Sequence, residues 1–337
     1  MERSIAAVLE RALQEMGLGE LAAPPEKLTG GLMHTMYAAV TDKGKYAIKI
    51  LNPSVMLREK ALRNTILSEC VARELRGKVP AVPAICKDGE AILALEGGYY
   101  MAFPWQAGKS VFAKDITPAH CEKIGNILGA IHSAEIQIDG LEHRGADAPG
   151  RDWEYFLQLA KTERPAWQKL FTSNYERICG WARRSEDASK QLGMAQVISH
   201  RDLDPKNVLW EGMAPYLIDW EAAGYVNPDQ ELVEAVNDWA SNRRGGLDRG
   251  KACALVSSYQ AHRAISRENL PAAVDSGFDG MLGWLAYNMN RSLGIECSSE
   301  EERHMGEKQV KGTIRALRAY EKKADLLLEW IGAFADG

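Results

Sequence analysis

His200-Arg201-Asp202-Leu203-Asp204-Pro205-Lys206-Asn207, followed by Leu217-Ile218-Asp219-Trp220-Glu221, is the stretch from which the rest of the chain can be read. Asp202 and Asn207 stand five residues apart, and Asp219 follows Asn207 by twelve. Between them, Val208-Leu209-Trp210 and Tyr216-Leu217-Ile218 read as two strands, joined by a turn through Glu211-Gly212-Met213-Ala214-Pro215. A symmetric register sets Trp210 opposite Tyr216 and therefore Asn207 opposite Asp219, with side-chain roots about 5 Å apart. Their hard oxygens can hold one Mg2+ at the open end of the hairpin. Asp202, just upstream, is free to accept a proton from an attacking hydroxyl. Taken singly, each residue is an ordinary turn, strand-start or cap residue. Together, at these separations, they predict phosphoryl transfer.

Such chemistry needs partners, and these lie upstream. Lys45-Tyr46-Ala47-Ile48-Lys49-Ile50 alternates as a strand, with Tyr46, Ile48 and Ile50 on one face and Lys45, Ala47 and Lys49 on the other. Ala47 offers a small flat surface for an adenine ring, and Lys49 points the same way to meet phosphates. Before this strand, Leu28-Thr29-Gly30-Gly31-Leu32-Met33-His34 reads as a tight turn whose backbone N–H groups can approach an anion. Helical spacing from Asn64 to Arg76 places Ile66, Leu67, Val71 and Leu75 on one stripe and brings a carboxylate toward Lys49. Glu69, twenty residues after the lysine, is the favoured partner; Glu59 and Glu74 are the alternatives.

With these elements in place, the chain resembles the aminoglycoside phosphotransferase and choline kinase group of small-molecule kinases from about Leu28 to about Leu293. The resemblance implies an α+β, bilobal, protein-kinase-like fold with a small β-rich N-lobe and a larger helical C-lobe. It implies residues 1–103 as the nucleotide-binding lobe, 104–108 as the hinge and 109–337 as the lobe carrying the catalytic loop and substrate site. It makes Asp202 the catalytic base, Asn207 and Asp219 the Mg2+ ligands, and Lys49 the phosphate-binding lysine. Gly30 and Gly31 become part of the nucleotide loop, with ATP as co-substrate. In Tyr99-Tyr100-Met101-Ala102-Phe103-Pro104-Trp105-Gln106-Ala107-Gly108, Phe103 takes the gatekeeper position. Pro104 then offers its carbonyl to the adenine and Gln106 its N–H. Proline is compatible there because only an acceptor is required.

Departures from the pattern narrow the substrate. Asp204 stands where protein kinases carry a lysine, Asp219-Trp220-Glu221 replaces Asp-Phe-Gly, and no Ala-Pro-Glu segment follows. A protein substrate is disfavoured. Glu221 is placed to reach the metal. Leu32-Met33 replaces the usual small polar residue of the nucleotide loop, leaving His34 or backbone to contact phosphates.

Bulk properties agree with a cytoplasmic small-molecule enzyme. The 337 residues carry a formal charge of −5 with no basic block, which argues against nucleic acid. No segment is long and apolar enough to span a membrane, and Glu2, Glu10 and Glu15 interrupt any signal peptide. The amino terminus reads instead as an amphipathic helix, with Ile5, Val8, Leu9, Leu13 and Met16 on one face and Gly17 as its stop. Six scattered cysteines read as reduced thiols. No required protein partner is evident.

Past Gly108 the sequence is mostly helical. Helical stretches are expected over Cys121–Glu135, Trp153–Arg184 (one or two helices), Glu231–Asn242, Lys251–Ser266, Phe278–Leu293 and Glu301–Phe334. Carboxylates and aromatics among them, chiefly Asp229, Glu231 and Trp239, are the substrate-binding candidates. They suit an aminoglycoside-like antibiotic, or alternatively choline, an amino alcohol or a sugar, through charge and cation–π contacts. A reading from another class, a non-catalytic nucleotide-binding scaffold, is disfavoured by the full set of Lys49, Asp202, Asn207 and Asp219.

Overall fold

The computed structural model describes residues 5–28, 34–143, 150–243, 245–295, 297 and 299–335. They fall into two compact units. The first comprises Met1–Val111, Ala134–Glu142 and Ile198–Gly224, and the second Phe112–Ser133, His143–Val197 and Tyr225–Gly337. The catalytic-loop segment from Ile198 to Gly224, expected within the C-terminal lobe, thus groups with the amino-terminal unit. Main-chain pairing explains this. Leu217 N–H donates to Pro80 O at 2.9 Å, Val82 N–H donates to Leu217 O at 2.9 Å, and Trp210 exchanges hydrogen bonds with Lys109 at 3.0 and 3.1 Å.

Unit 1 is built on an antiparallel sheet of β1 (Glu26–Leu28), β2 (Thr35–Thr41), β3 (Gly44–Ile50), β4 (Leu93–Leu95) and β5 (Gly98–Pro104), in the order β1-β2-β3-β5-β4. The period-two pattern of β3 sets its faces. Tyr46, Ile48 and Ile50 pack into an apolar cluster with Ala39, Tyr100 and Ala102, and the helix Ile5–Glu15 covers it with Leu9 and Leu13. Of its expected stripe Leu9, Leu13 and Met16 are buried, Val8 is half-buried and Ile5 is exposed, and Gly17 beyond its end is left-handed.

A second helix, Ala61–Leu75, buries Glu69, Val71, Ala72 and Leu75. It packs against the short turn Trp220–Ala222. Gly108 passes so close to the hairpin that a Cβ there would lie 2.7 to 2.8 Å from the Trp210 backbone, so only glycine fits.

The hairpin itself departs from the expected register. Val208–Glu211 pairs with Ala214–Leu217 through Trp210↔Pro215 and Glu211↔Ala214, one residue off the predicted pairing. The cause is a two-residue turn at Gly212-Met213, with Gly212 at φ 60°. The ladder therefore carries Asn207 opposite Ile218, whose N–H donates to Asn207 O at 3.0 Å, and not opposite Asp219.

Unit 2 is helical, with Pro118–His132, Trp153–Glu163, Tyr175–Leu192, Pro228–Trp239, Arg249–Gln260, Leu270–Ser292 and Glu300–Gly332 as its longer elements. The expected stretch from Trp153 to Arg184 breaks into three helices, with Arg164 left-handed just before Pro165. The core of the unit includes Trp181 stacked on Phe278 with centroids 5.5 Å apart, and Tyr320 edge-on to the same ring at 4.9 Å.

Candidate active site

The site residues of unit 1 are positioned by three neighbouring pieces of backbone: β3, the loop from His200 to Asn207, and the turn from Asp219 to Ala222. His200 is fully buried, lies tilted against the Trp220 ring with centroids 4.5 Å apart, and its Nε2–H donates to Ile218 O at 3.1 Å. This ties the loop that carries Asp202 to the strand that delivers Asp219. Arg201 and Asp219 both hold left-handed backbone, at φ 63° and 60°. Such a conformation costs a non-glycine residue of order 1–3 kcal/mol and persists where the surroundings enforce it. At Asp219 the turn swings the carboxylate away from the hairpin axis and toward β3.

There it meets Lys49. Lys49 Nζ lies 2.8 Å from Asp219 Oδ1 and 2.7 Å from Glu221 Oε2. Burial alone would lower the lysine, but the two carboxylates outweigh it and hold the ammonium above its ordinary value. The expected partner Glu69 does not pair with it. Its Oε2 instead accepts the Ala84 N–H at 2.7 Å, and Asp219 and Glu221 take the ammonium. Burial pushes Glu69 up to about 7, with Ala84 and Lys49 pulling it back. Glu59 and Glu74 make no ion pair with Lys49 either.

On the loop from His200 to Asn207, Asn207 Nδ2 donates to Asp202 O and to Asp202 Oδ2, both at 2.8 Å. This orientation leaves the amide oxygen of Asn207 as its acceptor. Burial raises the Asp202 carboxyl above its ordinary value, and Lys206 and Asn207 act in the opposite sense. Lys206, which spacing alone did not single out, contacts Asp202 Oδ1 at 3.1 Å and Asp204 Oδ2 at 2.6 Å. The missed signal was local: Asp202 and Asp204 precede it by four and two residues.

Of the nucleotide-loop residues, Gly30 and Gly31 lie outside the described residues. His34 does not present a free ring: Nδ1 accepts the Asn52 N–H at 2.9 Å and Nε2 faces Glu221 Oε2 at 3.4 Å. Burial and then the Lys49 charge lower its pKa, so the ring is neutral and its Nε2–H points at the glutamate. His34, one of the two expected sources of a phosphate contact, here supports Glu221.

In the hinge, Ala47 pairs with Phe103 and Tyr46 with Pro104. Trp105 N–H donates to Lys45 O at 3.3 Å. Antiparallel alternation then makes Tyr46 and Pro104 a non-bonded pair, so the missing proline N–H costs nothing and the Pro104 carbonyl turns away from β3. Gln106 follows in irregular backbone.

The substrate candidates fare differently. Asp229, Glu231 and Trp239 belong to unit 2 and are buried, at 4%, 2% and 0% exposure. Asp229 accepts from Ser266 N–H and Asn269 Nδ2, while Glu231 Oε2 takes His132 Nε2 at 2.9 Å. Their polarity serves the interior of this unit, since buried carboxylates must be satisfied. They are corrected here from substrate residues to structural ones.

Acid, amide and lysine are thus brought together on unit 1. Residues 26–265 match the Phosphotransferase enzyme family, and the chain belongs to it. It is 30% identical over 196 residues to a homoserine kinase of Pseudomonas aeruginosa, a match covering 55% of this chain and 57% of that relative's length. With the homoserine kinase of Methylobacillus glycogenes it shares 24% identity over 265 residues, 77% of each chain. Among solved structures, a spectinomycin phosphotransferase in complex with ADP and spectinomycin superposes with a TM-score of 0.71 at 15% identity, covering 95% of this chain and 99% of that one. The fold is thus the protein-kinase-like fold of this family.

Proposed function

We propose that the chain is an ATP- and Mg2+-dependent kinase that moves the γ-phosphoryl group to a hydroxyl of a small molecule carrying an amine. The observation that carries this reading is the convergence of Lys49, Asp219 and Glu221 beside an Asp202 clamped by Asn207. Asp202 takes the proton of the acceptor hydroxyl; its raised basicity suits a general base. Lys49 turns from its two carboxylates to the phosphates of ATP. Ala47, Phe103, the Pro104 carbonyl and the Gln106 N–H receive the adenine.

The donor set fits Mg2+, since Asp219, Glu221 and the Asn207 amide supply hard oxygens and this ion is commonly held by one or two carboxylates plus phosphates. When bound, the ion neutralises charge on the phosphates. ATP as donor places the enzyme in the cytoplasm. Among the described residues no helix is long and apolar enough to cross a membrane.

An aminoglycoside-like antibiotic is the first acceptor to consider, because the fold follows a spectinomycin phosphotransferase along nearly its whole length. The identity to homoserine kinases supports the second reading, a metabolic kinase of an amino alcohol or hydroxy amino acid, with choline and sugars in the same panel. ADP release measured over that panel tests both. Turnover on one class selects it. Absence of both turnover and Mg2+-dependent ATP binding would overturn the proposal in favour of a scaffold.

A further inference from the structure

Lys206 is an unusual surface lysine. Its side chain is 55% exposed, yet the residue is held at three points. Asp204 accepts its backbone N–H with Oδ1 at 2.6 Å and its ammonium with Oδ2 at 2.6 Å. Ser110 Oγ donates to its carbonyl at 3.0 Å. So fixed, the ammonium reaches Asp202 Oδ1 at 3.1 Å, while the other oxygen of Asp202 is bound by Asn207.

The two carboxylate oxygens of Asp202 are thus oriented by two neighbours of opposite design. Asn207 is an uncharged donor on the hairpin side. Lys206 is a cation on the open side, and ammonium carries three N–H donors, of which Asp202 and Asp204 use two. The other lysine of the site, Lys49, is engaged by Asp219 and Glu221.

Any acceptor hydroxyl that Asp202 deprotonates must sit beside this carboxylate, and the phosphoryl group must follow it there. Like charges a few ångströms apart repel. A cation on the carboxylate's open edge removes that conflict.

We propose that Lys206 is the positioning cation of the catalytic loop, gripped by Asp204 so that it fixes Asp202 and meets the transferring phosphoryl group. This rests on the phosphotransferase reading and adds a residue to it. In the step, the acceptor oxygen forms a bond to the γ-phosphorus as the bond from that phosphorus to the bridging oxygen breaks. ADP leaves with the electron pair, and the hydroxyl proton passes to Asp202. Lys206 keeps its proton and offers its third N–H to a phosphoryl oxygen in flight. Asp204 is the residue that keeps it there.

The test uses the full chain with Lys206→Met, Lys206→Arg and Asp204→Asn. Calorimetry gives the Kd of Mg-ATP and of Mg-ADP with aluminium fluoride, a planar mimic of the group in transfer; turnover is followed by ADP release. Lys206→Met is expected to leave the Mg-ATP Kd within about twofold, to weaken the fluoride complex about tenfold or more, and to lower kcat by roughly 10- to 100-fold at unchanged KM for ATP. Lys206→Arg should recover most of the loss, and Asp204→Asn should lie between. Equal binding of the mimic and equal kcat in Lys206→Met would overturn the inference alone. Parallel loss of Mg-ATP binding and kcat, without recovery by arginine, would also overturn it, as a merely structural effect. If the wild-type chain binds no Mg-nucleotide, the phosphotransferase reading falls and this inference falls with it.

Discussion

Asn207 holds Asp202 by two hydrogen bonds of 2.8 Å, one to its carbonyl and one to its carboxylate, across a spacing of five residues. The bonds close the loop through the Pro205–Asn207 turn, which Asp204 caps at Lys206 N–H. The proposed base and the proposed metal ligand are thereby held together, as a reaction governed by positioning requires. The same spacing that looked like a motif in the sequence is, in space, a pair of hydrogen bonds.

Replacing Asn207 by alanine should release both ends. Asp202 would lose an oriented donor and the metal an oxygen, so kcat is expected to fall about 10²-fold or more, with weaker Mg2+ dependence of ATP binding. Steady-state kinetics over a Mg2+ titration reads both. A change in kcat with an unaltered Mg2+ requirement would restrict Asn207 to the first role.

Lys49 neutralises two carboxylates that otherwise face each other. Lys49→Met should therefore lower stability by about 1–3 kcal/mol in the absence of nucleotide, the partial exposure of Asp219 and Glu221 keeping it below the cost for a fully buried pair. Adding Mg2+ should return part of the loss. Thermal melts with and without the ion decide this, and a variant as stable as wild type would show that the pair carries little.

Glu69 gives a pH signature. Its folded value near 7 exceeds the ordinary 4.5 because of burial, offset in part by Ala84 and Lys49. Between these values the folded chain keeps a proton that the unfolded chain has lost. Stability from this group therefore falls as pH rises from about 4.5 to about 7 and is level above, a span of roughly 3–4 kcal/mol at most. Glu69→Gln keeps an acceptor for Ala84 N–H and should flatten that slope, gaining stability relative to wild type above pH 7. Urea unfolding at a series of pH values measures it; identical slopes would refute the assignment.

Glu231 separates structure from substrate recognition. Buried against His132, which also meets Tyr259 Oη at 2.9 Å, it is expected to cost about 3 kcal/mol or more on replacement by alanine. The acceptor KM should not change. A raised KM in a variant of normal stability would restore Glu231 to the substrate site.

Periodicity carried much of this architecture. The alternation of Lys45–Ile50 gave the strand, its buried face and the exposure of Lys49 to the site, because side-chain period and backbone geometry are coupled directly. Spacing alone could not give the hairpin register. Gly212 accepts positive φ and tightens the turn to two residues, which shifts every pair by one. The partner of Lys49 was also hidden, since Asp219 reaches it only through a left-handed turn that no local pattern announces. Asp229, Glu231 and Trp239 failed as substrate residues because acidic residues at helical spacing look alike whether they face solvent or a buried histidine. Phe103 and Pro104 end β5, paired with Ala47 and Tyr46, and Gln106 follows in irregular backbone before Gly108 packs on Trp210.

Transfer of labelled γ-phosphate from ATP to an amine-bearing alcohol, compared between wild type and Asp202→Ala, tests the central claim most directly. Wild type should label one acceptor class, and Asp202→Ala should lose at least about 10²-fold in transfer while still binding Mg-ATP. Near-normal transfer by Asp202→Ala on the same acceptor would contradict the account.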